Sequence, residues 1–367
     1  MRKLTKEKRN SLLNIGFILV TLLLVLYLVT RAGDAGQILA AFRAISPWWL
    51  MGALACFALH IVLEGLGLYL FFFFQKVRIS WKSCNLIGLV GIYYSNITPA
   101  ATGGQPMQAF SLKKRGVPTG IGYSALAVKY FCWQCALLLV GAATWINSAA
   151  RVHALLGQAV WLIALGFFVN SLMVSLIILL SINRNLVRAI IIFLVNLASR
   201  LRLVKDRAQA SSRLDAALND FHSSVEILTR HPMQFLVLFA VALAQVTALM
   251  SIIYFIYRGL ALTEGSYLQV LTIQVLLYIT ASFTPLPGAS GAQEGGFYLF
   301  FRTIFPHSLV FAGLLLWRFV TYYLFIIVGF FAVIADQTYS SRKRKRMMLE
   351  EELPAAGKAA EPESGQP

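Results

Sequence analysis

Residues 96–106 read Asn-Ile-Thr-Pro-Ala-Ala-Thr-Gly-Gly-Gln-Pro, and residues 284–291 read Thr-Pro-Leu-Pro-Gly-Ala-Ser-Gly. The first interrupts 83–112, which carries no charged residue, and the second interrupts 266–305, whose only charged residues are Glu294 and Arg302. Proline removes a backbone donor and clashes with the preceding turn, and glycine weakens a helix interior by about 1 kcal/mol. Neither stretch is therefore a continuous helix, although each is apolar enough to sit in hydrocarbon. How these two segments run decides the fold.

Around them lie longer apolar runs at 11–30 (SLLNIGFILVTLLLVLYLVT), 48–74, 120–147, 154–181, 233–257 and 308–335. About 20 residues rising 1.5 Å each cross a hydrocarbon core of about 30 Å, so each run is long enough to span a bilayer as a helix. The runs are continuous rather than alternating, which excludes a barrel. Composition agrees: 58% of residues are hydrophobic and 13% charged, against roughly 25% charged in a globular domain. The first run lacks a small-residue cleavage site and reads as a retained anchor. The expected fold is an all-α polytopic membrane bundle with two Pro/Gly-broken re-entrant segments.

A net charge of +17 in a soluble chain would point to nucleic acid. Here Lys and Arg fall between apolar runs, which is the pattern of positive-inside topology and of contact with anionic lipid headgroups, so no nucleic-acid partner is expected. If each broken segment dips in and returns to its own side, segments 1–10, 75–82, 113–115, 183–232 and 336–367 share one side and carry 25 Lys and Arg. The other side carries five: Arg31, Arg43, Arg151, Arg258 and Arg302. Both termini are then cytoplasmic, in a multi-pass protein of a bacterial inner membrane. Residues 11–147 and 154–335 become inverted halves of one membrane domain, each reading span, span, broken segment, span. Broken segments at matching positions of two halves are the sequence pointer to a transporter's binding site.

Outside that domain, 1–10 is a basic cytoplasmic start. Within 183–232, Leu214, Leu218, Phe221, Val225 and Leu228 form one apolar stripe, as on a helix lying on the inner leaflet or on the bundle. The tail 336–367 opens with a basic run and continues rich in Ala, Pro, Glu and Gly, as in a disordered segment.

Ionisable side chains at membrane depth are costly and so are functional candidates. His60 and Glu64 share a face of the second span, Lys129 lies in the third, Glu294 follows the second break and Arg318 lies in the last span. Arg318 is about ten residues, or roughly 15 Å, from the end of its span. A lone guanidinium there needs a carboxylate or a phosphate, and Glu294 is the nearest carboxylate by topology. No nucleophile constellation, phosphate loop or metal-ligand cluster accompanies these residues, so no catalytic residue, metal or cofactor is assigned. Cys56, Cys84, Cys132 and Cys135 all lie in apolar segments; Cys132-Trp-Gln-Cys135 has redox spacing, but at mid-helix in hydrocarbon it reads as packing.

The broken segments also carry a resemblance. Asn96-Ile97-Thr98-Pro99 with Gly103-Gly104-Gln105-Pro106 and Lys113-Lys114, then Pro285, Pro287-Gly288, Gly291 and Glu294, then Trp317-Arg318 and Tyr322-Tyr323, resemble the integral-membrane flippase domain of the lysylphosphatidylglycerol synthetase, or multiple peptide resistance factor, family. Ala289 stands where that family commonly has a second glycine. The resemblance implies a helical bundle that moves a phospholipid, such as an aminoacylated phosphatidylglycerol, between leaflets and so supports resistance to antimicrobial peptides. Among its matched positions Glu294, Arg318 and Gln105 are the substrate-binding candidates, to which depth in the membrane adds Lys129 and Glu64; membrane phospholipids are the expected partners and a homo-oligomer is left open. In the best-known members a soluble aminoacyl-transfer domain follows, whereas only 32 residues follow Ala335 here, so the expectation is translocation rather than lysyl transfer. A lipid-modifying membrane enzyme and a non-catalytic scaffold remain the alternatives.

Overall fold

The computed structural model describes residues 35–157, 160–183 and 231–339, with isolated positions between 185 and 222. Among the described residues the regular structure is entirely helical. The chain runs through α1 (Ala35–Ala44), α2 (Pro47–Phe74), α3 (Trp81–Ile97), α4 (Gly104–Lys114), α5 (Thr119–Leu156) and α6 (Val160–Ile182), then α7 (Pro232–Gly259), α8 (Tyr267–Ala281), α9 (Ala292–Phe301) and α10 (His307–Tyr339). Five of these, α2, α5, α6, α7 and α10, are long and apolar enough to cross a membrane. They coincide with five of the six expected spans. The sixth, 11–30, lies outside the described residues, as do the stripe between Leu214 and Leu228 and the tail beyond Tyr339.

The two interruptions fall where proline and glycine place them. Residues Pro99–Ala101 form a short 3-10 turn between α3 and α4, and Pro287–Ala289 form another between α8 and α9. Alanines take the left-handed conformation in both turns, Ala100 and Ala101 at φ 50° and 55° in the first and Ala289 at φ 50° in the second, where Gly288 at φ 59° joins it. Local sequence signals repeat between the halves. α2 and α7 both begin on proline, which at the first helical position loses no bond. α3 and α8 both begin behind a serine whose hydroxyl accepts a first-turn amide, Ser80 from Ser83 and Ser266 from Gln269. The order long helix, short helix, turn, short helix, long helix thus occurs twice.

Packing shows how these pieces run. Phe71 and Phe72 at the end of α2 share a core with Cys84 at the start of α3, Leu112 at the end of α4 and Val117 before α5. α3 and α4 therefore form a hairpin whose two open ends lie beside the end of α2. Tyr257 and Leu260 at the end of α7 share a second core with Val270 in α8, Phe301 at the end of α9, and Phe305 and Val310 around the start of α10. The second hairpin likewise opens beside the end of α7. The Ser46 amide donates to the Gly259 carbonyl at 3.0 Å, so α2 starts where α7 ends. The two hairpins accordingly open at opposite ends of the bundle, and their tips meet, the Ala100 amide donating to the Pro285 carbonyl at 3.1 Å.

The surface is as apolar as the sequence requires. Only 17% of the most apolar window of α6 is buried, leaving Trp161, Phe168 and Leu172 on the outside. In water such a surface would be an aggregation site; around a bundle of this length it is a lipid-facing one.

Two buried ion pairs at the hairpins

The first polar site lies behind the tip of the second hairpin. Gly291, at φ +86°, ends the turn and lets α9 begin immediately. Glu294 in the first turn of α9 folds back to accept the Gly291 amide at 2.6 Å. Its other carboxylate oxygen accepts from Arg318 Nε at 2.7 Å and lies 2.6 Å from Nη2. Arg318 Nη1 and Nη2 also donate to the Gly288 carbonyl, each at 3.2 Å, so the guanidinium binds both the helix start and the turn. Arg318 is 4% exposed. It stacks near the rings of Tyr322 and Trp317, at 5.0 and 5.6 Å. Immediately after Arg318 the helix opens into a π turn over Phe319–Tyr323, a feature frequent at functional sites. From that turn the Tyr322 hydroxyl donates to the Asn96 carbonyl of the other hairpin at 3.5 Å.

The second site lies against the first hairpin. Glu64 of α2 is buried and forms an ion pair with Lys129 of α5. The same carboxylate accepts from Gln108 Nε2 of α4 at 3.1 Å and from Gln245 Nε2 of α7 at 2.8 Å. One side chain therefore ties together three other helices. Gln108 gets there because α3 has no side chain in its way: a Cβ on Gly91 would sit 2.1 Å from Gln108 Nε2. His60 does not bond Glu64. Its Nδ1 lies 3.3 Å from the Gln245 carbonyl, and its ring packs edge-on against Trp133 and Phe325.

The geometry brings Glu294 to Arg318, as the depth of Arg318 suggested, and it joins Glu64 to Lys129 rather than to His60, with which the sequence had grouped it. Thr98, Pro99, Gly103, Gly104 and Pro106 shape the first tip, where the Thr98 hydroxyl accepts the Gly103 amide at 2.8 Å. Pro285, Pro287, Gly288 and Gly291 shape the second. Gln105 is different: it is exposed, and Gln108, one turn further along that short helix, makes the contact to Glu64. Gln108 and Gln245 were not singled out by the sequence, although a glutamine in the middle of the apolar run 233–257 was a usable signal. Asp336 was also missed. α10 continues past the expected boundary at Ala335, and Asp336 is buried against Arg115 at 2.6 Å, Lys114 at 3.7 Å and the Ser111 hydroxyl at 3.0 Å.

Five helices long and apolar enough to span, two hairpins that meet tip to tip and two buried ion pairs packed against them define a polytopic helical membrane protein. The chain belongs to the lysylphosphatidylglycerol synthase transmembrane-region family, whose model matches residues 13–329. It is similar to a UPF0104 membrane protein of Archaeoglobus fulgidus, 26% identical over 305 residues, covering 81% of this chain and 85% of that one. A UPF0104 membrane protein of Methanothermobacter thermautotrophicus is 28% identical over 128 residues, 33% of this chain and 34% of that relative.

Proposed function

We propose that this protein translocates a phospholipid between leaflets, and that Arg318 and Glu294 receive its headgroup where the two hairpin tips meet. Both hairpins are re-entrant on this reading, the first opening to the cytoplasm and the second to the outside. The observation that carries it is the fork of Arg318 onto Glu294 and the Gly288 carbonyl, a guanidinium held by the very turn that breaks the helix. Broken backbone at membrane depth is tolerated only where it is buried in protein or lines a polar cavity. Glu294 stands in the first turn of α9, and starts of interrupted helices are where transporters receive anionic substrate groups. A guanidinium binds phosphate with the same bidentate geometry it uses for a carboxylate. In the empty state Glu294 holds Arg318; with lipid present, the phosphate takes the fork and Glu294 is free for a cationic headgroup.

The test is leaflet-specific labelling of fluorescent phospholipids in proteoliposomes, run beside thermal unfolding of the same preparations. Arg318→Ala and Glu294→Gln are each expected to abolish translocation while leaving folded protein. Arg318→Lys is expected to recover only part, because an ammonium cannot reproduce the fork. Full translocation by both variants, or a fall only in proportion to lost folded protein, would mean that the pair is structural.

A further inference from the structure

The three consecutive cations at the end of the first hairpin do not share one job. Arg115 and Lys114 both turn toward Asp336, at 2.6 and 3.7 Å, and Arg115 also covers the ring of Tyr339 at 4.8 Å. Lys113 points elsewhere. It is exposed and has no acidic partner among the described residues. Instead it lines an open groove of about 290 Å³ between α4 and α5, together with Pro106, Phe110, Val117, Thr119 and Tyr123. The two large rings on this groove face outward, Phe110 at 51% and Tyr123 at 50% exposed. The elbow that shapes it, Gly116 at φ +85° followed by Pro118, is held by the Val117 amide bonding back to the Leu112 carbonyl at 3.2 Å.

We propose that this groove holds one anionic phospholipid as a resident lipid, its phosphate against Lys113 and the Thr119 hydroxyl and one acyl chain lying along Phe110 and Tyr123. Four observations support that occupant. The lining combines apolar side chains, Pro106, Phe110 and Val117, with the Lys113 cation and the hydroxyls of Thr119 and Tyr123, the mixed polarity of a phospholipid headgroup and the start of its chain. The volume is near the lower end of ligand pockets, about 300 Å³, enough for a headgroup and the first part of a chain while the remainder stays in the bilayer. Lys113 lies at the open end of the first hairpin, on the same end of the bundle as Lys76, Arg78 and Lys82, where anionic lipid is attracted by about 1 kcal/mol per cation. And Asp336, the acid that would compete for Lys113, is already occupied by its two neighbours. The inference rests on the membrane placement of the chain and not on translocation; this groove is separate from the site of Arg318.

Phosphatidylglycerol and phosphatidylcholine, each with a diazirine in one acyl chain, would be mixed separately into nanodiscs holding the intact protein, irradiated, and the adducts mapped by peptide. Phosphatidylglycerol is expected to label the 106–123 peptide about tenfold more than phosphatidylcholine. Lys113→Gln should remove that preference, and Ala109→Trp, which fills the groove without changing a charge, should remove the adduct itself. Lys82→Gln should do neither. Thermal unfolding confirms that each variant is folded. Equal labelling by both lipids, or a preference that survives Lys113→Gln, would overturn the proposal. Inorganic phosphate in excess should not compete; if it suppresses the adduct, the site is one for free phosphate and the lipid proposal fails. Because no step requires transport, the result is independent of the translocation assay.

Discussion

A buried charge is stable only while its partner is present, and Glu64 shows how many partners one carboxylate can collect. Lys129, Gln108 and Gln245 approach it from three helices. Glu64→Gln would leave the Lys129 ammonium without its counter-charge, and breaking a buried pair from one side costs about 3–5 kcal/mol. Lys129→Met has the mirror effect. The double variant should recover much of that loss, because it removes both charges and leaves a glutamine able to bond Gln245. A denaturant series on micellar protein gives the four stabilities; strictly additive losses would show that the pair is not coupled. Arg318 and Glu294 form the same kind of pair, and there the proteoliposome assay separates loss of transport from loss of fold. Both charge pairs joined residues that the sequence had singled out by depth alone. Gln108 escaped that reading because a neutral amide costs less at depth than a charge does, and because its route to Glu64 depends on the gap at Gly91.

At the level of elements, the two turns carry the strain. Ala289 at φ 50° occupies a conformation that costs an L-residue roughly 1–2 kcal/mol. Glycine would adopt it freely but costs more entropy on folding, about 0.5–1 kcal/mol. Ala289→Gly is therefore expected to stabilise the protein slightly, by up to about 1 kcal/mol, seen as a higher midpoint in thermal unfolding. Gly288→Ala should act in the opposite direction, since a Cβ there would sit 2.1 Å from the ring of Tyr322. If Ala289→Gly lowers the midpoint, the left-handed geometry at the tip is not what limits it. The break itself was legible from Thr98-Pro99 and Pro285-Leu286-Pro287-Gly288. The tip-to-tip bond from Ala100 to Pro285 was not, because nothing local in either segment encodes contact with the other.

Among the described residues the order long helix, hairpin, long helix occurs twice in opposite directions, with the second hairpin's open end at α7 and the first hairpin's at α2. This arrangement predicts which residues reach which side of a membrane. Single cysteines at Lys114 and at Arg302, in a background without Cys56, Cys84, Cys132 and Cys135, should react with impermeant maleimide from the cytoplasmic side and from the outside respectively. Labelling of both from one side would refute the inverted arrangement. The sequence by itself determined the helical membrane class, all five spans among the described residues, the two breaks and the charges worth watching. It could do so because hydrophobic length, proline and glycine chemistry and the cost of buried charge are local properties. Only the tertiary structure decided that both hairpins close back on their own ends, that their tips touch, that Gln108 rather than Gln105 meets Glu64, and that Asp336 belongs to the bundle rather than the tail. Those facts depend on which helices lie side by side, and side-by-side placement is set by packing between residues far apart in the chain, which no single segment carries.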